Sequence, residues 1–129
     1  MNSVTLTVSI DCDPKKVYEF VSNLENLPKW AKTFCRSIQH TKDGWVLESP
    51  QGPVRIRMAE KNALGVLDHT VSPAPDIEIL VPMRVVPNDK GSEVFFTLFH
   101  QANMTDEQFA RDIGMVEQDL QTLKTVLSS

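Results

Sequence analysis

Hydrophobic and polar residues alternate in short stretches along most of the chain and recur at helical spacing near its end. Residues 3–11 alternate one by one, which is the period of a strand with one buried and one solvated face. From Thr105 to Leu127, apolar residues instead recur at alternating steps of four and three: Phe109, Ile113, Val116, Leu120, Leu123 and Leu127. This spacing places them on one face of a long amphipathic helix. Such a face must pack against another element, and the rest of the chain offers mostly strands.

Capping signals mark where helices begin. Thr105–Gln108 has the pattern of a capping box at the start of the long helix. Asp13-Pro14 gives an N-cap followed by proline at the first helical position, so a second helix is predicted from there to about residue 22. A further short helix or turn is predicted over residues 23–30, with a proline near its end.

Between residues 33 and 101 the pattern is that of consecutive antiparallel strands. Turn signals such as Asp43-Gly44 separate them, and Pro73–Pro75 is expected to break the chain. The predicted strands lie near residues 34–38, 45–49, 54–58, 65–71, 77–85 and 93–101. Together with the opening strand they make about seven.

These elements predict a single α+β domain over residues 1–129. A curved seven-stranded antiparallel sheet would carry the long C-terminal helix on one face, with two short helices after the first strand. We expect a cavity, because a strongly curved sheet and a straight helix do not meet everywhere.

Composition and charge exclude several classes of function. The chain carries a net charge of −4 and lacks the basic excess that nucleic acids require. No apolar stretch approaches the roughly 20 residues of a membrane span. The first residues do not resemble a secretion signal, and Cys12 and Cys35 form no disulfide framework, so a cytoplasmic location is expected. The histidines lack metal-ligand spacing and nucleotide-binding motifs are missing, so we expect neither a metal nor a cofactor.

Three segments carry a resemblance to a known family: VTLTVSIDCDPKKVYEFVSN, LENLPKW and the final DLQTLKTVL. With the hairpin-rich middle, they make the chain similar to the START-like, helix-grip (SRPBCC) superfamily, which includes polyketide cyclase/dehydrase-like proteins, pollen allergens and lipid-transfer domains. The resemblance implies a long helix closing over a curved sheet around an apolar cavity for lipids, hormones or polyketides. Some members are enzymes, while others only bind ligands or act as chaperone co-factors. The family has no shared catalytic motif, so the resemblance transfers no active site.

Strand phase predicts which side chains face the cavity. His69 and His100 share the phase of the apolar positions and are the polar groups expected in an oily pocket. Either could polarise a ligand carbonyl or act as a general base, since imidazole titrates near neutral pH; the alternative is a structural histidine. The predicted ligand contacts are Trp30, Ile56, Met58, Leu67, Val81, Met83, Phe96, Leu98, Phe109, Ile113 and Val116.

Three positions carry open alternatives, and for Asp68 the phase gives a single expectation. Trp30 could line the cavity mouth or simply pack between the short helices. Tyr18 could offer its hydroxyl to a ligand or face water. Asp68 is out of phase with His69, so an Asp–His pair is not expected. Gly114 interrupts the long helix, either for close packing or to admit a ligand.

The sequence therefore favours a protein that binds a small hydrophobic molecule, such as a lipid, an aromatic compound or a polyketide. A polyketide cyclase or dehydratase with a pocket histidine as acid or base is the alternative. A protein-interaction module of the chaperone-activator kind is less favoured, because the predicted outer sheet face is polar rather than apolar. The oligomeric state is left open.

Overall fold

The computed structural model describes residues 2–128, which form three α-helices and eight strands. In chain order these are β1 (Ser3–Ile10), α1 (Pro14–Ser22), α2 (Leu27–Trp30), β2 (Ser37–Thr41), β3 (Gly44–Ser49), β4 (Gly52–Met58), β5 (His69–Ala74), β6 (Ile77–Val81), β7 (Met83–Asn88), β8 (Gly91–Phe99) and α3 (Asp106–Leu127). A short 3-10 turn at Leu24–Asn26 joins α1 to α2. The α+β class, the order of elements and the long terminal helix are confirmed.

The strands form two antiparallel sheets, so the prediction of a single seven-stranded sheet is wrong in detail. One sheet has the order β1-β8-β7 and the other β2-β3-β4-β5-β6. The division falls at Pro82, which splits the predicted strand 77–85 into β6 and β7, because proline has no amide hydrogen to continue a ladder. The Pro82 carbonyl accepts a hydrogen bond of 2.9 Å from the Thr97 amide on β8 and so connects the two sheets.

Three other strand boundaries differ from the prediction. β2 is Ser37–Thr41 rather than residues 34–38, because residues 32–34 form a turn. β5 does not break at Pro73–Pro75 but continues to Ala74, with a shift of register between Val71 and Ala74. Prolines are tolerated at such irregularities because no ladder hydrogen bond is lost there. The predicted strand start at Gly65 is reduced to an isolated bridge between Val66 and Arg84.

The helix starts were predicted correctly. The Asp13 side chain accepts from the Lys15 amide at 2.8 Å. At α3 the Gln108 amide donates to Thr105 Oγ1 at 3.1 Å, and the Thr105 amide donates to Gln108 Oε1 at 2.9 Å. This reciprocal pair satisfies backbone donors that the first turn of a helix otherwise leaves free.

The buried core is formed by α1, α2, the C-terminal half of α3 and one face of the two sheets. Leu120 and Leu123 of α3 are almost fully covered, as are Val17 and Val21 of α1. The sheet face turned toward this core, here called the inner face, contributes residues such as Val8, Leu47 and Val94. Each large side chain buried there contributes about 1.5–3 kcal/mol. The core therefore holds α3 firmly by its C-terminal half.

Candidate functional site

The apolar face of α3 is fully covered only at Leu120 and Leu123. Leu127 at the end of the helix is half-buried, and so are Phe109, Ile113 and Val116 in the part before Leu120. Solvent therefore reaches the space between the N-terminal half of α3 and the sheets. We call this space the groove and define it by Phe109–Val116 on α3 and the inner-face positions of β1, β4, β5, β6 and β8.

The sheet side of the groove is also apolar and half-buried. Met58, His69 and Val81 stand opposite one another on β4, β5 and β6. Leu98 of β8 pairs with Val4 of β1. All five are half-buried. An apolar wall therefore runs across both sheets, with His69 as a polar group in its middle.

The predicted ligand contacts fall into two groups. Trp30, Ile56, Leu67 and Met83 lie in the packed core with at most 5% of their surface exposed, so protein atoms already cover them. The remaining positions are half-buried and lie along the groove: Met58, Val81, Phe96, Leu98, Phe109, Ile113 and Val116.

Two depressions of the described surface lie away from the place where the cavity is expected. They are about 200 Å³ and 180 Å³ in volume, and both lie on the five-stranded sheet away from α3. The first is lined by Ser37, Ile38, Gln39, Val46 and Glu48. The second includes Arg55 and Pro73. Between α3 and the sheets, the half-buried side chains that define the groove remain partly open to solvent.

His69 is held so that one ring nitrogen faces protein and the other is free. Its Nδ1 lies 3.0 Å from the Leu67 carbonyl, and its ring meets the Phe96 ring edge-on at 6.0 Å between centroids. Within residues 2–128, Nε2 has no hydrogen-bond partner. Burial lowers the pKa of His69, and the Leu67 carbonyl only partly opposes that effect. The ring is therefore neutral at pH 7.

Asp68 faces the other side of the sheet, as its phase predicts. Its Oδ1 accepts from the Met83 amide at 2.9 Å, and Oδ2 lies 3.1 Å from the Arg84 guanidinium. The hydrogen bond from Arg84 lowers the pKa of Asp68. The carboxylate is thus committed to Arg84 and makes no catalytic pair with His69.

His100 has both ring nitrogens engaged. Nδ1 lies 3.1 Å from the Gln101 carbonyl and Nε2 lies 3.1 Å from Asp106 Oδ1. Its ring also contacts that of Phe109, with 4.7 Å between centroids. This arrangement places His100 between the end of β8 and the first turn of α3, with an acceptor of the chain beside each ring nitrogen.

Other candidate side chains also have partners within the chain or lie away from the groove. The Tyr18 hydroxyl accepts from the Asn62 amide at 2.9 Å. Trp30 is buried in the core, with its indole Nε1 unpartnered among the described residues. Gly114 is exposed, and a Cβ there would meet no atom within 4 Å, so close packing does not explain it. Burial raises the pKa of the Cys35 thiol to about 11, which makes it a poor nucleophile.

Sequence reasoning missed a buried carboxylate, Asp119. It is 5% exposed and accepts from the Thr33 amide at 3.1 Å and from Thr33 Oγ1 at 2.6 Å. Burial raises its pKa, an effect that the Thr33 bonds only partly offset. The signal was available, because position 119 follows Val116 by three residues and so borders the apolar face of α3.

No group of three potential metal ligands occurs within residues 2–128. None of the helices there is long and apolar enough to cross a membrane.

The element order, the long C-terminal helix and the apolar inner face match what the sequence resemblance implies. A sequence profile of the family described as polyketide cyclase/dehydrase and lipid transport matches residues 1–128. The chain belongs to this family. No curated protein matches it by sequence.

Solved structures show the same fold over almost the entire chain. XoxI from Bacillus cereus is 20% identical with a TM-score of 0.77, and the match covers 98% of this chain and 96% of that one. The Aha1 dimer from Colwellia psychrerythraea is 16% identical with a TM-score of 0.78, covering 99% and 97%. A START superfamily protein from Mycobacterium smegmatis is 14% identical with a TM-score of 0.69, covering 97% and 96%. At these identities the likeness describes the fold alone.

Proposed function

We propose that this member of the polyketide cyclase/dehydrase and lipid transport family binds a small hydrophobic molecule in the groove. The observation that carries the proposal is the continuous apolar face of α3, which the protein covers fully only at Leu120 and Leu123. Phe109, Ile113 and Val116 are left half-buried opposite an apolar sheet face. A ligand that removes this surface from water gains about 25 cal/mol for each Å² of apolar area.

The composition of the groove supports an adaptable, apolar ligand. Met58 can adjust its shape to an irregular partner, and Phe96 and Phe109 offer aromatic surface. The family description names both polyketide cyclases and lipid transport, and both kinds of substrate are largely apolar. A cytoplasmic location remains our expectation, and the free thiols of Cys12 and Cys35 fit a reducing compartment.

The direct test is mass spectrometry of the purified protein, under native conditions and again after organic extraction. We expect a mass adduct in the native spectrum and a matching apolar compound in the extract. A protein without adduct, whose melting temperature is also unchanged by a panel of lipids and aromatic polyketides, would contradict the proposal.

A pair of tryptophan variants locates the binding site. Ile113→Trp fills the groove, whereas Gln121→Trp adds the same side chain to an exposed position of α3. We expect Ile113→Trp to weaken binding of the apolar fluorophore 8-anilinonaphthalene-1-sulfonate (ANS) about tenfold or more, because it occupies the volume that the ligand needs. Gln121→Trp should bind ANS like the parent protein. Equal affinity of both variants would place the site elsewhere.

A second candidate function is proton transfer by His69 in a cyclase or dehydratase reaction. It is favoured by one observation, the unpartnered Nε2 on a neutral ring anchored through Nδ1. Such a ring can accept a proton as a general base. The test is deuterium exchange at the methyl group of acetophenone, which the parent protein should accelerate and a His69→Phe variant should not.

A further inference from the structure

The hydrogen bond of His69 Nδ1 determines what its other nitrogen can recognise. Leu67 offers a carbonyl oxygen, which can only accept, so Nδ1 must carry the proton across the 3.0 Å separation. In a neutral imidazole the second nitrogen then carries a lone pair and no hydrogen. His69 Nε2 is therefore an acceptor and cannot donate to a ligand carbonyl.

The surroundings of His69 keep the ring in this form. Its cross-strand neighbours Met58 and Val81 are apolar, and Phe96 contacts the ring edge-on. The carboxylate next to it in sequence, Asp68, is turned away and bonded to Arg84. Because the neighbouring groups are apolar and the nearest acid is engaged, the lone pair is the polar feature that this part of the groove presents.

Our inference rests on the proposed function, which leaves open which apolar molecules the groove binds. We infer that the groove prefers apolar molecules with a hydroxyl group, such as phenols and long-chain alcohols, whose O–H donates to His69 Nε2. Ketones, esters and ethers offer only acceptors and leave the lone pair unmatched. This preference reverses the sequence-based expectation that a pocket histidine polarises a ligand carbonyl.

The test compares two probes that differ in one donor. 2-Naphthol has a hydroxyl group where 2-methoxynaphthalene has an ether of similar shape. A neutral hydrogen bond changes affinity by about three- to tenfold, so 2-naphthol should bind that much more tightly to the parent protein. Affinities are measured by fluorescence titration, and folding of each protein is checked by circular dichroism.

Two histidine replacements assign the preference to His69. His69→Phe keeps a ring beside Phe96 but removes the acceptor, so both probes should bind with equal affinity; His69→Leu serves if that variant does not fold. His40→Phe is the matched control, because His40 is exposed on β2, where it stacks on Trp45. It should retain the preference. Nitrogen-15 NMR of the imidazole should show the proton on Nδ1 and a shift of Nε2 when 2-naphthol is added.

Each of the other outcomes overturns the inference. Equal binding of both probes to the parent protein would leave the groove as a hydrophobic site without selection for a donor. A preference that persists in His69→Phe would assign recognition to another residue. If neither probe binds while ANS still does, the preference for aromatic alcohols is wrong although hydrophobic binding stands. If ANS also fails to bind, the proposed function fails too.

Discussion

At the scale of single residues, Asp119 shows how burial and hydrogen bonding compete. Its carboxylate is almost fully covered, and Thr33 donates to it twice. Burial disfavours the charged form more than these bonds favour it, so its pKa is raised. When the pKa of an acid is higher in the folded than in the unfolded protein, the protein becomes less stable as the pH rises from the unfolded-state pKa to the folded-state pKa. Asp119 therefore lowers the free energy of unfolding at neutral pH relative to acidic pH.

We predict that Asp119→Asn removes this pH dependence. The amide oxygen can still accept from the Thr33 backbone, while the buried charge is gone. At pH 7 the variant should be at least as stable as the parent protein, and the difference should shrink as the pH is lowered toward about 4, the ordinary pKa of aspartate. Urea denaturation between pH 4 and pH 8 measures both curves.

Two further variants serve as controls for this prediction. Asp119→Ala removes both acceptors and should cost about 1–3 kcal/mol, because the Thr33 amide is left without a partner. Glu117→Gln alters an exposed acid on the same helix and should leave the pH profile unchanged. A loss of more than about 1 kcal/mol in Asp119→Asn at pH 7 would mean that the bonds from Thr33 outweigh the cost of burial.

At the scale of elements, two glycines have opposite roles. Gly114 lies exposed in α3, and a Cβ there meets nothing within 4 Å. Gly65 precedes the bridge to β7 with φ of +73°, and a Cβ there would overlap the Val85 carbonyl oxygen. Gly114→Ala should therefore stabilise the protein by about 1 kcal/mol, the difference in helix propensity. Gly65→Ala should destabilise it by more than about 1 kcal/mol, since its backbone conformation suits only glycine.

Thermal and urea denaturation of both alanine variants measure these changes. Gly114→Ala should also leave ANS binding unchanged, because the position is exposed and does not face the groove. Loss of ANS binding in this variant would show instead that the glycine makes room for a ligand. A Gly65→Ala variant as stable as the parent would show that the loop before β7 can relax.

Elements were predictable where the signal is local. The capping box at Thr105–Gln108 and the Asp13-Pro14 start depend on a few neighbouring residues, and both helices begin there. The strand boundaries at Pro73 and Pro82 were mispredicted, because the effect of a proline depends on whether its neighbour in the sheet requires an amide hydrogen. Sequence alone does not identify that neighbour.

At the scale of the whole molecule, alternation predicted which face each strand residue takes but not how closely α3 approaches it. Met83 and Met58 share the inner face, yet Met83 is completely buried while Met58 is half-buried. Met83 lies on β7, which α1 contacts, whereas Met58 lies on β4, for which no helix contact of that extent is seen among the described residues. The distance between helix and sheet is a property of the assembled fold. The candidate site could therefore be predicted as a face but not divided into core and groove.

This uneven packing leads to a prediction about motion. The C-terminal half of α3 opens only if core contacts of Leu120 and Leu123 are broken, whereas the N-terminal half is held by half-buried contacts and by the bond between His100 and Asp106. Segments with fewer buried apolar contacts open at lower free energy. Amide hydrogen exchange should therefore be faster at residues 109–114 than at residues 119–124.

Binding should reduce that difference, because a ligand that fills the groove stabilises the closed arrangement. At a ligand concentration 100 times the dissociation constant, the linkage amounts to about 2.7 kcal/mol, which slows exchange through the linked opening roughly a hundredfold. With saturating ANS, we expect the slowing to concentrate in residues 109–116 and in β6, while Ser37–Gln39 on the opposite face of the five-stranded sheet remains unchanged. Slowing centred on Ser37–Gln39 would instead place the ligand in the 200 Å³ surface depression. Binding in the groove would then be wrong, and the half-buried apolar surface of α3 would be left without a function.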